Sequence, residues 1–222
     1  MEAPNSNAGD QVVRDLRRMS YPAALEIQKQ VLEEVLGGGP DTVLLVEHDP
    51  ILTLGANFHP ENLLRTEDEY RAMGIDVAKT DRGGDVTYHG PNQLVAYPIF
   101  DLNRHGKDLH KWLRDLEEVV ILLLEDYGLE GYRFAPHTGV WVNGKKICAI
   151  GIKVKRWVSM HGIALNCDND LDVFDTFVPC GILGYGVTSL TAELGRDVTV
   201  DEVKPALVRA FEKVFGRVIS EL

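Results

Sequence analysis

The stretch Trp141-Val142-Asn143-Gly144-Lys145-Lys146-Ile147-Cys148-Ala149-Ile150-Gly151-Ile152-Lys153-Val154 decides the fold, together with Arg156-Trp157-Val158-Ser159-Met160-His161-Gly162-Ile163-Ala164-Leu165-Asn166. Asn143-Gly144 lies between Trp141-Val142 and a long apolar run. Both residues tolerate the positive φ of a type I′ turn, so the pattern predicts a tight β-hairpin. The two apolar runs beyond it read as long strands. A loop then carries Val178-Pro179-Cys180-Gly181-Ile182.

Outward from this hairpin, helices and strands alternate. Ser20 caps a predicted helix over 21–36 whose apolar stripe is Ala24, Ile27, Val31 and Val35, and Gly37-Gly38-Gly39-Pro40 ends it. Three glycines there follow a helix and carry no Gly-Lys-Ser/Thr, so they mark a helix stop and not a phosphate loop. Val43–Val46, Ile51–Leu54, Ile75–Lys79, Val86–Tyr88 and Leu94–Phe100 read as strands. Thr66-x-x-Glu69 is a capping box opening a short helix. Asp108 caps a long helix through Tyr127, with Leu109, Trp112, Leu113, Leu116 and Val120 on one face. Strands are expected at 132–134 and 139–142, a short helical piece at 171–177, a short helix or turn within 187–194, and a last helix opened by Thr199-x-x-Glu202. Strands joined by hairpins outnumber β-α-β units. We therefore expect one mixed α/β domain over 1–222, its sheets mostly antiparallel and packed with helices, not a Rossmann fold. The first ten residues read as disordered, and 188–222 could form a small C-terminal subdomain.

With 222 residues and 45% hydrophobic composition the chain can bury a sizeable core. No apolar run reaches the roughly 18 residues of a membrane span, and no signal or transit pattern opens the chain. A cytoplasmic location follows as the expectation. A net charge of −11 argues against nucleic acid or an anionic membrane as partner. Three cysteines without a C-x-x-C pair suggest neither a disulfide framework nor structural zinc, and His48 and His59 have no metal-ligand spacing.

Chemistry concentrates in two places. Asp81-Arg82-Gly83-Gly84-Asp85-Val86-Thr87-Tyr88-His89-Gly90-Pro91-Asn92-Gln93 puts paired glycines beside an arginine, which suits close backbone approach to a polar ligand but equally suits an ordinary glycine turn with a packed histidine. Among the cysteines, Cys148 and Cys167 sit in or just after strands, whereas Cys180 lies on a loop, where reactive groups concentrate. A nucleophilic cysteine needs a nearby cation or base to ionise, and Lys146, His89 and His161 are the candidates.

Four motifs in order, Arg82-Gly83-Gly84-x-Val86-Thr87-Tyr88-His89-Gly90-Pro91-x-Gln93, Gly144-x-Lys146-Ile147-x-Ala149-Ile150-Gly151, His161-Gly162-x-Ala164-Leu165-Asn166 and Pro179-Cys180-Gly181-Ile182, resemble the lipoyl(octanoyl) transferase family. The similarity runs from about Leu44 to Leu194. It implies the biotin/lipoate protein ligase fold and transfer of an octanoyl group from octanoyl-acyl carrier protein to a lysine of lipoyl domains. Acceptors would be the E2 subunits of 2-oxoacid dehydrogenases and the glycine cleavage H protein. By motif position, Cys180 would carry the acyl thioester and Lys146 would assist it. The substrate pocket would be Arg82, Gly83, Gly84, Asp85, Val86, Thr87, Tyr88 and His89, with Ala149, Ile150, Gly151, Gly162, Ile163 and Ala164. No cofactor and no metal are implied. Asn92 replaces the family's usual glycine, a position where asparagine tolerates positive φ. The clusters Lys145, Lys153, Lys155, Arg156 and Arg104, His105, Lys107, Lys111 would either dock acidic protein partners or be plain solvated faces. An ATP-dependent lipoate or biotin ligase, which needs no nucleophilic cysteine, and a non-catalytic binding module are the competing readings.

Overall fold

The computed structural model describes residues 11–178 and 185–220, and the expected disordered N-terminus lies outside them. The chain alternates β1 (Gln11–Met19), α1 (Tyr21–Leu36), β2 (Thr42–His48), β3 (Ile51–Leu54), α2 (Glu67–Ala72), β4 (Asp76–Lys79), β5 (Val86–His89), β6 (Gln93–Ile99) and α3 (Leu109–Asp126). It continues through β7 (Tyr132–Phe134), β8 (His137–Val142), β9 (Lys145–Lys155), β10 (Val158–Asn166), α4 (Leu190–Leu194), α5 (Val200–Phe215) and β11 (Val218–Ser220). Among the described residues, eight strands form one sheet in the order β11-β1-β2-β6-β10-β9-β8-β7, and β4-β3-β5 form a second. Among the described strands, β1 with β2, β1 with β11 and β3 with β4 pair in parallel and the other strand pairs are antiparallel. This is the expected mixed, mostly antiparallel architecture.

Burial explains the layering. α3 and α5 cover one face of the large sheet, with Trp112, Leu116, Val120, Leu207 and Phe211 packed on Leu45, Leu94, Ile163 and Leu165. α1 covers the other face, where Ala24, Val31 and Val35 meet Leu44, Val95, Tyr97 and Ala164. A third cluster, with Leu52, Tyr70, Val86, Tyr88, Phe174 and Phe177, lies under the small sheet. Residues 188–220 belong to the same body: α5 fills the main core and β11 extends the main sheet beside β1.

Turn chemistry sets the registers around the site. Asn143 and Gly144 have φ of 48° and 80°, as the hairpin required, and Arg156 and Trp157 turn β9 into β10 with φ of 50° and 66°. Asn92 has φ of 62° and its N–H donates to Glu47 Oε2 at 2.8 Å, so the turn before β6 tolerates the departure from glycine. No helix among the described residues is long and apolar enough to cross a membrane.

Candidate functional site

β9 and β10 pair with Ala149 opposite Ala164, Ile150 opposite Ile163 and Gly151 opposite Gly162. Such small residues leave room above the strands. The space is a cavity of about 470 Å³, open mouth included, lined by those six residues together with Arg82, Gly83, Gly84, Thr87 and His89. Eleven of the fourteen residues expected around the substrate therefore converge on one cavity. Strand alternation separates the others: Thr87 and His89 point inward, while Val86 and Tyr88 point into the core of the small sheet. The Asp85 carboxylate instead accepts from the His59 N–H at 3.2 Å and from Asn62 Nδ2 at 2.5 Å, tying two loops together.

The loop Arg82–Gly84 closes the cavity because glycine permits close approach. Gly83 N–H donates to Ile152 O at 2.8 Å, and a Cβ on Gly151 would stand 2.9 Å from Gly83 O. Arg82 is buried and holds this loop. Its Nη2 donates to Thr53 O at 2.5 Å and Asp85 O at 2.8 Å, its Nε to Thr53 Oγ1 at 3.1 Å, and its Nη1 to Gly83 O at 3.1 Å.

Lys146, at the start of β9, is 7% exposed. Its Nζ donates to Thr138 O at 3.2 Å and sits 5.3 Å from the Trp141 ring centroid, a cation–π distance. Lys146 lines an open cleft of about 730 Å³ with Pro136, His137, Thr138, Gly83, Gly84 and Gly151. It also lines a smaller space with Thr87, Ala149, Ala164 and Asn166, three of which belong to or border the cavity wall. The lysine thus stands where an open approach meets a narrow apolar slot. Backbone bonds from Lys146 N–H to Gly186 O and from Thr188 N–H to Lys146 O, each 3.0 Å, bring the chain after the cysteine loop against it. Cys180 itself lies outside the described residues.

The other two cysteines are poor nucleophiles. Both are buried, and burial pushes the Cys148 thiol well up and the Cys167 thiol up to about 12. Sequence reading named His89 and His161 but missed the aromatic residues that join them at one end of the cavity. Tyr21, Tyr97, His161 and Val95 line it, and His48 stands behind, with Nε2 2.7 Å from Tyr97 OH and Nδ1 3.1 Å from Met19 O. Tyr21 stacks on His89 at 6.4 Å, and His89 Nδ1 lies 2.8 Å from Gln93 Oε1. Burial lowers His48 to about 4 and His89 to about 3, so both are neutral near pH 7. Burial also lowers His161, against the opposing pull of Asp81 at 2.9 Å. These rings come from α1, β2, β5, β6 and β10. No spacing in the chain announces that convergence.

The basic clusters are largely paired within the chain. Lys155 and Arg156 both meet Glu33, at 3.1 and 3.3 Å, Lys153 meets Asp81, Lys111 meets Asp115 at 2.6 Å, and Arg104 and His105 share Asp41. The exposed pairs among these contribute little stability, whereas Asp41 is buried beneath Arg104 and His105; all of them leave less unbalanced charge than the sequence alone suggests.

Comparison with known proteins converges on one family. Residues 20–212 match the lipoyl protein ligase A/B catalytic domain. An octanoyltransferase of Rubrobacter xylanophilus is 48% identical over 209 residues, covering 91% of this chain and 94% of that protein. A lipoate-protein ligase A bound with ATP has the same fold, with a TM-score of 0.75, 18% identity and coverage of 96% and 90%. The biotin protein ligase of Aquifex aeolicus in complex with biotin and ATP aligns with a TM-score of 0.56, 13% identity and coverage of 93% and 70%.

Proposed function

The chain belongs to the octanoyltransferases of the lipoyl protein ligase A/B catalytic-domain family and is an acyltransferase acting in protein lipoylation; from that premise we propose a two-step transfer through a Cys180 thioester assisted by Lys146. The donor in this reading is octanoyl-acyl carrier protein. The acceptors are single lysines of lipoyl domains, in 2-oxoacid dehydrogenase E2 subunits and the glycine cleavage H protein.

In the first step the Cys180 thiolate attacks the donor's thioester carbonyl and forms a new C–S bond. The carrier's sulfur leaves and takes up a proton from the Lys146 ammonium, so charge and protons balance. In the second step the acceptor amine attacks the acyl-enzyme, Lys146 accepts its proton, and the Cys180 thiolate leaves. Thioester to thioester to amide runs downhill without a nucleotide. The cavity between β9, β10 and the Arg82–Gly84 loop holds the acyl chain, and the open cleft beside Lys146 admits carrier arm and acceptor lysine in turn.

The observation that carries this reading is the position of Lys146, buried where the open cleft meets the small-residue slot. Initial rates with both substrates varied provide the test. The reading expects parallel double-reciprocal lines with no added ATP, because donor product leaves before the acceptor binds. Intersecting lines, or an absolute need for ATP, would reject it.

A further inference from the structure

Glu117 is a carboxylate with 1% exposure on α3, turned toward β8 at the edge of the helix's apolar stripe. A buried charge is costly unless every oxygen is satisfied. Its two oxygens divide the work. Oε2 accepts from Arg114 Nη1 at 2.6 Å and Arg133 Nε at 3.1 Å, which fastens α3 to β7. Oε1 turns the other way and accepts from the Gly139 backbone N–H at 3.1 Å.

That N–H belongs to the same peptide unit as the Thr138 carbonyl, and the carbonyl accepts from Lys146 Nζ at 3.2 Å. A peptide unit is a rigid plane with N–H and C=O pointing in opposite directions, so anchoring one end aims the other. A negative acceptor on the N–H and a cationic donor on the C=O also polarise the unit in the same sense. The backbone is built for this arrangement. Gly139 has φ of 123°, and a Cβ there would stand 2.5 Å from Cys148 O and 3.5 Å from Lys146 Cε.

We infer that Glu117 is a positioning residue for transfer, holding Lys146 through the Thr138–Gly139 peptide between them. The inference rests on the reading of Lys146 as the assisting lysine. Glu117 would then play toward a lysine the part that a buried carboxylate plays toward a catalytic histidine: it orients the base and does not itself exchange protons.

The test compares Glu117→Met, Glu117→Gln and Arg114→Met in octanoyl transfer, each followed also by thermal melting. Methionine removes the acceptor at similar volume, and kcat should fall about ten- to a hundredfold, as for other small misplacements of a reacting group. KM for the acyl donor should stay within about twofold of wild type, because the cavity is untouched. Glutamine can still accept from Gly139 N–H and should restore most of kcat. Arg114→Met breaks the outer ion pair only and should leave kcat as it is. If Glu117→Met does not fold, the pair Glu117→Met and Arg114→Met removes the cation that loses this carboxylate, since Arg133 keeps Glu118 at 2.6 Å, and carries the same comparison. A kcat within about twofold of wild type in the methionine variant would overturn the inference. So would equal losses in the methionine and glutamine variants that follow their melting temperatures. Lys146→Ala, run alongside, separates the two claims: full activity there refutes the role of Lys146, whatever Glu117 does.

Discussion

Ala149 faces Ala164 across the β9–β10 ladder, and both border the cavity and the smaller space at Lys146. Ala149→Val adds two carbons to the wall at this narrow point, and β-branching suits a strand, so the backbone need not change. Each methylene of an acyl chain contributes about 0.8 kcal/mol when buried. If the two wall carbons exclude two chain carbons, octanoyl loses about 1.6 kcal/mol relative to hexanoyl. That is a change of about fifteenfold in the ratio of kcat/KM values, within the range for one or two methylenes in an apolar pocket. The assay is competition between hexanoyl and octanoyl carrier protein for one acceptor, with products separated by mass. Overpacking alone could cost about 1–3 kcal/mol of stability, but that would lower both rates together. The ratio is therefore the readout. An unchanged hexanoyl-to-octanoyl ratio in a folded Ala149→Val enzyme would refute the assignment of this cavity to the acyl chain.

Gly151→Ala should lift the Arg82–Gly84 loop, since its Cβ would lie 2.9 Å from Gly83 O, and we expect a loss of about 1–3 kcal/mol in denaturant titration together with a higher KM for the acyl donor. Arg82→Lys keeps the charge but loses the fork that reaches Thr53 O, Asp85 O and Gly83 O at once; a stability loss of about 1–3 kcal/mol is expected, and an unchanged denaturation midpoint would contradict the bracing role. His48 and His89 have folded values near 4 and 3 against an ordinary 6.5, so below pH 6.5 the unfolded chain takes up protons first. Stability should therefore fall as pH drops from 6.5 toward 4, by about 1.4 kcal/mol per unit for each histidine, and a melting temperature that stays flat over that window would count against their burial as neutral rings.

Local chemistry made much of the fold legible. The Asn143-Gly144 turn, the Thr66 capping box, the Asp108 cap and the Gly37 stop each rest on a few neighbouring residues, and each appears where those residues place it. β1 and β11 were not legible. Gln11–Met19 mixes Val12 and Val13 with Arg14, Asp15, Arg17 and Arg18, and its strand character comes from pairing with β2 and β11 on either side. The turn at Arg156-Trp157 carries two positive-φ residues that are neither glycine nor asparagine, so long-range pairing must impose it. At the site, the small residues of β9 and β10 were placed in the pocket by the motif resemblance, and the local hairpin pattern accounts for their facing each other across the two strands. The Tyr21, His48, His89, Tyr97 cluster and the Glu117 contact were not legible, since each joins elements far apart in sequence.

The central claim is a cysteine-borne acyl group formed with the help of Lys146. Intact-mass spectrometry after mixing the protein with octanoyl-acyl carrier protein tests it most directly. The account predicts one octanoyl adduct, labile to hydroxylamine, mapping to Cys180, absent from Cys180→Ser and formed far more slowly in Lys146→Ala. A wild-type protein that transfers octanoyl while its mass never changes, or an adduct that persists in Cys180→Ser, would contradict it.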